Sequence, residues 1–205
     1  QVPVHEVPHR VREDRLDLAG DWQFAPGRTP EAGAQATGVA HVPGHVALDG
    51  LIGDAGVATL WRDIVIPVEW AGRSIFARFD GAYGRAEIFV NGHAVGTHSA
   101  GATSFDVDLT PYLEGRNNVL AVVLTEYTPH AVLDYMSWYA HTSLLGIWRE
   151  ACLFHVPQLH LGPTGLHADW DVATGSGTLD VTTDIVNVGD QSATYTLELS
   201  ISDAG

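Results

Sequence analysis

The chain has 205 residues, 45% of them hydrophobic, and a formal charge of −15. That is enough apolar material for one large β domain, or one domain plus part of another, and it carries no signature of disorder. Its basic residues are all arginine and scattered, which excludes the basic patch that a nucleic acid or an anionic lipid surface requires.

No apolar run approaches the roughly 18 residues of a membrane span, so neither membrane nor nucleic acid is expected as a partner. Cys152 is alone, within the apolar stretch "REACLFHV", and is expected to behave as a small buried hydrophobe with no catalytic role. The chain starts at Gln1 without a charged and apolar leader, as a processed or excised polypeptide would, and the compartment stays open between cytoplasmic and secreted. The 11 histidines show no pair at metal-site spacing with a third ligand nearby, so no metal ligands are assigned and the histidines are read as mostly surface residues.

Residues 1–15, Pro-rich and charged, read as an arm. "LDLAGDWQFAP" (Leu16 to Pro26) reads as a first strand with Trp22 and Phe24 on one face. A polar, Gly/Pro/Ala-rich loop runs from Ala25 to Gly38, and "VAHVPGHVAL" (Val39 to Leu48) is extended, with a bend at Pro43-Gly44. "ATLWRDIVIPVEW" is a strand ended by Pro67, and "GRSIFARFDGAYG" is another, alternating Ile75, Ala77 and Phe79.

In "AEIFVNGHAVGTHSAGATSFDVDLTPYL", Asn91-Gly92 sits where a two-residue hairpin needs positive φ at both central positions. The turn predicts that Val90 faces His93 and Ile88 faces Val95. Phe105, Val107 and Leu109 begin a further alternation, and "NNVLAVVLTEY" and "GIWREACLFHVP" are apolar strands. The longest stretch without strand character is Thr125 to Leu145, "TEYTPHAVLDYMSWYAHTSLL", aromatic and long enough to suggest a functional loop.

After Pro157 the texture changes. Strands are predicted over Thr178 to Val186 and Ala193 to Ser202, joined by a turn at Asn187-Val188-Gly189-Asp190. A complete immunoglobulin-like sandwich needs about 100 residues and about seven strands, so this second domain is expected to be incomplete. Short strands between turn signals, with no βαβ rhythm, predict an all-β antiparallel jelly-roll sandwich followed by part of a second sandwich.

Six pieces in order, "LAGDWQF", "VPGHVAL", "LWRDIVIP", "FDGAYGRAEIFVNGHAVGTHSAGATSFDVDLTPYL", "NNVLAVVL" and "GIWREACLF", resemble the amino-terminal region of glycoside hydrolase family 2. That family contains β-galactosidases, β-glucuronidases and β-mannosidases. The resemblance covers Leu16 to about Pro157 and implies a galactose-binding-domain-like jelly roll over residues 16–157. It makes residues 158–205 the start of the family's immunoglobulin-like domain. It also implies a carbohydrate substrate met through a (β/α)₈ barrel that carries the family's two catalytic glutamates.

No barrel rhythm is present, and no glutamate follows an asparagine as the family's acid/base does, so no catalytic residue is assigned and the segment alone is expected to be inactive. Glu87, Glu126 and Glu150 read as solvated or paired residues of the jelly roll. The longer protein is left room for a structural or active-site cation and for assembly as a homo-oligomer, but no cofactor is assigned.

By resemblance, the loop before "GIWRE" sends polar side chains toward the sugar pocket. Asp134 best matches that role, Trp138 could stack on a pyranose face, and Tyr135 lies beside them. The alternatives are that Asp134 starts a turn and Trp138 caps the core. Asp54, with Asp49, lies in a second loop, "LDGLIGDAGVATLW", that reaches the active site in some relatives, although Gly-rich turns carry aspartates anyway. Arg149 is read as a structural arginine pairing a carboxylate or carbonyl, and Trp22 and Trp61 as core.

Two further readings compete with a non-catalytic glycosidase segment. One is a free-standing carbohydrate-binding module or lectin; the other is an interaction sandwich with no sugar role.

Overall fold

The structure, a computed structural model, describes residues 15–29, 35–51, 56–99, 103–126 and 144–201. They fall into two compact units, one up to His155 and one from Val156 onward.

The first unit is a jelly-roll sandwich of antiparallel strands, as the alternations predict. Its larger sheet runs in the order β3 (Gly38–Val42), β2 (Gly20–Pro26), β4 (Val57–Val65), β10 (Asn117–Thr125), β7 (Arg85–Val90), β8 (His93–His98). The smaller runs β1 (Arg15–Asp17), β12 (Ala151–Val156), β5 (Ser74–Phe79), β9 (Phe105–Asp108). A two-stranded piece pairs β6 (Ala82–Tyr83) with β11 (Gly146–Ile147). Arg15, placed in the arm by its sequence, instead opens β1 opposite Phe154. Among the described residues no helix is long and apolar enough to cross a membrane.

Period-two alternation builds the core. Trp22 and Phe24, then Ile75, Ala77 and Phe79, then Leu120, Val122 and Leu124 all point into one buried cluster. The six-stranded sheet also carries a second apolar layer on its other face. Trp61, Ala121 and Phe89 stand in register across β4, β10 and β7, and with Ala25 and Val123 they form a separate buried group. Trp61 is thus buried, but in this outer layer rather than in the main core. The stretch after β2 lies over it: Arg28 pairs with Glu87 and stacks its guanidinium over the Phe89 ring at 5.5 Å. The Thr29 amide donates to Thr59 Oγ1 at 3.0 Å.

One inward position of β4 holds a charge. Arg62 donates to the carbonyls of Leu18 and Ala19 at 2.8 and 3.2 Å and lies 5.7 Å from the Trp22 ring. A permanently charged group is accepted at the core's edge because backbone oxygens and an aromatic face receive it. Sequence alternation alone gives no sign of this role.

The Asn91-Gly92 turn forms with φ of 51° and 81° at its two residues. Val90 faces His93 as predicted, but Ile88 faces Gly96, not Val95. The register shifts between Ile88 and Phe89, leaving Val95 as the extra residue packed against the core. Such bulges are common on edge strands, and β8 is an edge. The Asn91 side chain ties the turn down: Nδ2 donates to the Tyr112 carbonyl at 3.0 Å and to Asn118 Oδ1 at 2.8 Å, and Oδ1 accepts from the Val119 amide at 2.9 Å.

The second unit is a hairpin of β13 (Leu159–Asp171) and β14 (Ser176–Asn187). The strand predicted over Thr178 to Val186 lies within β14. Its partner β13 was hidden in the sequence because Gly162, Pro163 and Gly165 interrupt the alternation. The register breaks between Leu161 and Thr164, where a proline without an N–H is tolerated. The predicted turn at Asn187 forms, its side chain accepting from the Gly189 amide and donating to the Gln191 carbonyl. Residues 193–201, predicted as a strand, form no ladder. Their alternation supplies strand propensity, and propensity without a partner edge makes no sheet.

On the smaller sheet, Arg78 lies 3.3 Å from Asp106 and 3.5 Å from Asp80. Burial pushes the Asp106 carboxyl above its ordinary range; Arg78 opposes this and the Asp80 charge adds to it. A carboxyl so raised favours the fold while protonated, a contribution fully present below the ordinary carboxylate range and lost as pH climbs through the raised value. Asp106→Asn therefore gains melting temperature relative to wild type between pH 4 and pH 7. A constant difference across that range would mean that the Arg78 pairing balances desolvation, and a relative loss with rising pH that it outweighs it. Gly92→Val forces a β-branched residue to positive φ at about 1–3 kcal/mol and lowers Tm by several degrees; an unchanged Tm would contradict the turn.

Candidate functional site

Four stretches of the first unit converge on one rim of the sandwich. The chain leaves β3 through a cis Val42–Pro43 bond and curls through residues 44–51. That curl is closed by the Asp49 amide on the His45 carbonyl at 3.1 Å and the Leu51 amide on the Val46 carbonyl at 3.0 Å. Residues 80–85 cross beneath it, β10 ends at Thr125 opposite Arg85, and the chain reappears at Leu144 to enter β11.

Backbone bonds knit the four together. The Gly44 amide donates to the Ile147 carbonyl at 2.8 Å, the Trp148 amide to the Gly81 carbonyl at 3.2 Å, and the Glu126 amide to the Gly56 carbonyl at 2.8 Å. Gly84 sits between Thr125 and Leu145. A side chain there would begin 2.5 Å from the Thr125 carbonyl oxygen and 2.8 Å from Leu145 Cδ1, and its φ is +95°. The departure and return of residues 127–143 are therefore adjacent.

Among the described residues the rim carries His45, Asp49, Tyr83, Trp148 and Arg149. His45 Nδ1 lies 2.8 Å from the Leu144 carbonyl oxygen. A carbonyl can only accept, so Nδ1 carries the proton. The His45 and Trp148 rings are nearly parallel, 17° apart in plane and 6.3 Å between centroids. Arg149 is exposed with its guanidinium 5.6 Å from the Trp148 ring. Among the described residues the contact of its guanidinium is with an aromatic face, not with a carboxylate or carbonyl. Asp49 stands exposed at the rim.

All four substrate-contact residues expected from the sequence lie outside the described residues: Asp134, Tyr135 and Trp138 within 127–143, and Asp54 within 52–55. Both segments spring from this rim. The three glutamates singled out in the sequence sit in the scaffold. Glu87 pairs with Arg28 and with Arg85 at 3.6 Å, Glu150 with Arg15 at 3.5 Å, and Glu126 ends the β10 pairing. Among the described residues no three His, Cys, Asp or Glu side chains gather around one point. Sequence reasoning missed His45, and the only signal was its position just after a Pro-Gly bend. Cys152 is buried as expected, and burial raises its thiol above the ordinary range.

Gly84→Ala places a methyl against a backbone oxygen and a core leucine in a conformation that disfavours it. It should cost about 1–3 kcal/mol, measured as a lower denaturant midpoint. An unaltered midpoint would show that the loop ends are not held this closely.

Residues 37–157 match the family described as glycosyl hydrolases family 2, sugar binding domain. A β-galactosidase of Bacteroides ovatus, BoGH2A, is 30% identical over 191 residues, which is 92% of this chain and 20% of that protein. A β-galactosidase of Streptococcus thermophilus is 29% identical over 118 residues, 58% of this chain and 11% of its own length. The fold is shared with a β-glycosidase from Bacteroides vulgatus (TM-score 0.67, 21% identity, 87% of this chain and 25% of that one). A β-glucuronidase from an uncultured Clostridium superposes comparably (TM-score 0.64, 18% identity, 90% and 35%). The chain thus spans about a fifth or less of the length of these curated relatives. The chain belongs to glycoside hydrolase family 2, and residues 37–157 form that family's sugar-binding domain.

Proposed function

We propose that this chain is the non-catalytic amino-terminal portion of a longer retaining β-glycosidase of carbohydrate metabolism, where it supports and completes the sugar pocket of a catalytic barrel. The observation that carries the reading is the match of the sugar-binding domain over residues 37–157, in a chain that spans only 20% of a relative aligned over 92% of it. Retaining hydrolysis needs two carboxyl groups about 5–5.5 Å apart, one as acid/base and one as nucleophile. In this reading that pair sits on the barrel. The chain divides into an arm that ends before Arg15, the jelly roll to residue 157, and the beginning of an immunoglobulin-like domain over 158–205.

The chain's part is recognition. Asp134, with Tyr135 and Trp138 in the same segment and Asp54 in the neighbouring one, reaches the substrate from the rim where both segments originate. A carboxylate accepts hydrogen bonds from sugar hydroxyls, and an indole offers a flat apolar face to a pyranose. The acidic surface and the absence of a basic patch suit a neutral carbohydrate better than a polyanion.

The test uses the full-length protein and p-nitrophenyl β-galactoside, β-glucuronide and β-mannoside. The full-length protein should turn over at least one of them, and the isolated 205-residue chain none. Turnover by the isolated chain at constant specific activity through repurification, or none by the full-length protein, overturns the proposal. Asp134→Asn removes a charge-assisted bond of about 1.5–3 kcal/mol. It should lower kcat/KM about ten- to a hundred-fold at nearly constant Tm. Lost stability with unchanged kinetics would return Asp134 to the scaffold.

A further inference from the structure

We propose that Asn91 is a guarded deamidation site, a modification that the folded jelly roll suppresses and that unties the β7–β8 turn once it occurs. The reaction is easiest before glycine, which has no side chain to block approach to the neighbouring carboxamide. The Gly92 nitrogen attacks Cγ of Asn91, forming a C–N bond and breaking the bond to Nδ2. Ammonia leaves with the proton from the Gly92 nitrogen. Water then opens the cyclic imide to aspartate or isoaspartate.

Attack requires the carboxamide to swing free, and the structure holds it on three sides. Nδ2 uses both of its protons, one on the Tyr112 carbonyl at 3.0 Å and one on Asn118 Oδ1 at 2.8 Å. Oδ1 accepts from the Val119 amide at 2.9 Å, and the Asn91 amide donates to the Val119 carbonyl, also at 2.9 Å. A carbonyl can only accept and an amide N–H only donate, so these two partners fix which end of the carboxamide faces which way. Asn118, 3% exposed, is locked in turn. Its Oδ1 also accepts from the Glu114 amide at 2.7 Å, and its Nδ2 donates to the Gly115 carbonyl at 3.2 Å. One side chain thus ties together the hairpin turn, the chain after β9 and the start of β10.

The same contacts make the product a misfit. Aspartate sets an oxygen where Nδ2 stood, facing the Tyr112 carbonyl and Asn118 Oδ1, which are acceptors with no proton to give. Turning the Asn118 carboxamide over would offer the new carboxylate a donor. It would also set that donor against the Glu114 amide and leave the Gly115 carbonyl unmet. Isoaspartate lengthens the backbone by one atom inside a two-residue turn, and the pairing of β7 with β8 cannot keep its register. β10 starts at Asn117, beside this network, and ends at Thr125 opposite Arg85. The modification therefore strikes the end of the sheet away from Gly84, and its cost falls on the stability of the jelly roll.

The experiment incubates the full chain in mildly alkaline buffer, native and in guanidinium, and follows aspartate and isoaspartate at position 91 by peptide mass spectrometry. Conversion should be at least about a hundred-fold slower in the native protein. Asn118→Ala, which removes one acceptor from Nδ2, should speed native conversion about ten-fold. Gly84→Ala, destabilised at the other end of β10, should stay within about two-fold of wild type. Asn91→Asp, made genetically, should melt several degrees below wild type. Equal rates in native and denatured wild type overturn the proposal, and that comparison decides if Asn118→Ala does not fold. A folded Asn118→Ala no faster than wild type overturns it too, as does a Gly84→Ala variant accelerated as much as Asn118→Ala, since overall stability would then be the guard. A wild-type Tm for Asn91→Asp also overturns it, because the turn would then not depend on the amide.

Discussion

Everything in the jelly roll depends on β10. It pairs with β4 along all nine of its residues and with β7 along six, so most of its backbone groups are committed to neighbours on both sides. It is also apolar on both faces. Leu120, Val122 and Leu124 face the main core, and Ala121 and Val123 face the outer layer. A one-residue slip would exchange the two sets and put leucines where alanine and valine now fit under the segment after β2. The register of the central strands is therefore set twice, once by each layer, and the placement of Thr125 opposite Arg85 follows from it.

Charges are admitted to this framework only where something receives them. Arg62 points inward yet meets two carbonyls and an indole face, and Arg28 covers the outer layer while meeting Glu87. Asp106 is the counterexample. Burial pushes its carboxyl above the ordinary range although Arg78 lies beside it. The hairpin unit is organised differently: its long strands expose Leu166, Trp170 and Leu179. Its strand length comes from the β13–β14 ladder, not from a buried interior.

Much of the fold was legible because period-two alternation is a direct image of a two-sided sheet. Ile75, Ala77 and Phe79, or Trp22 and Phe24, could be assigned to the core from their spacing alone, and Asn91-Gly92 announced its turn through the one backbone conformation those residues favour. What stayed hidden was whatever depends on contacts distant in sequence. The bulge that sets Ile88 against Gly96 answers to packing of Val95. The strand β13 answers to a partner 5–28 residues on, and the inward Arg62 answers to carbonyls more than 40 residues away. The candidate site divides the same way. The loop carrying Asp134 stood out by length and aromatic content, whereas His45 was indistinguishable from a surface histidine until Leu144 came beside it.

The two ends of residues 127–143 are held by different sheets, β10 on one side and the small β6–β11 pair on the other, and they meet at Gly84. A segment whose ends are pinned side by side is nearly free to change in length, since doubling a closed loop costs only about 0.6 kcal/mol of chain entropy. Insertions, deletions and wholesale replacement of that segment therefore spare the sandwich. The strands that hold Thr125 and Leu145 can keep their sequence while the length and composition of the stretch between them change.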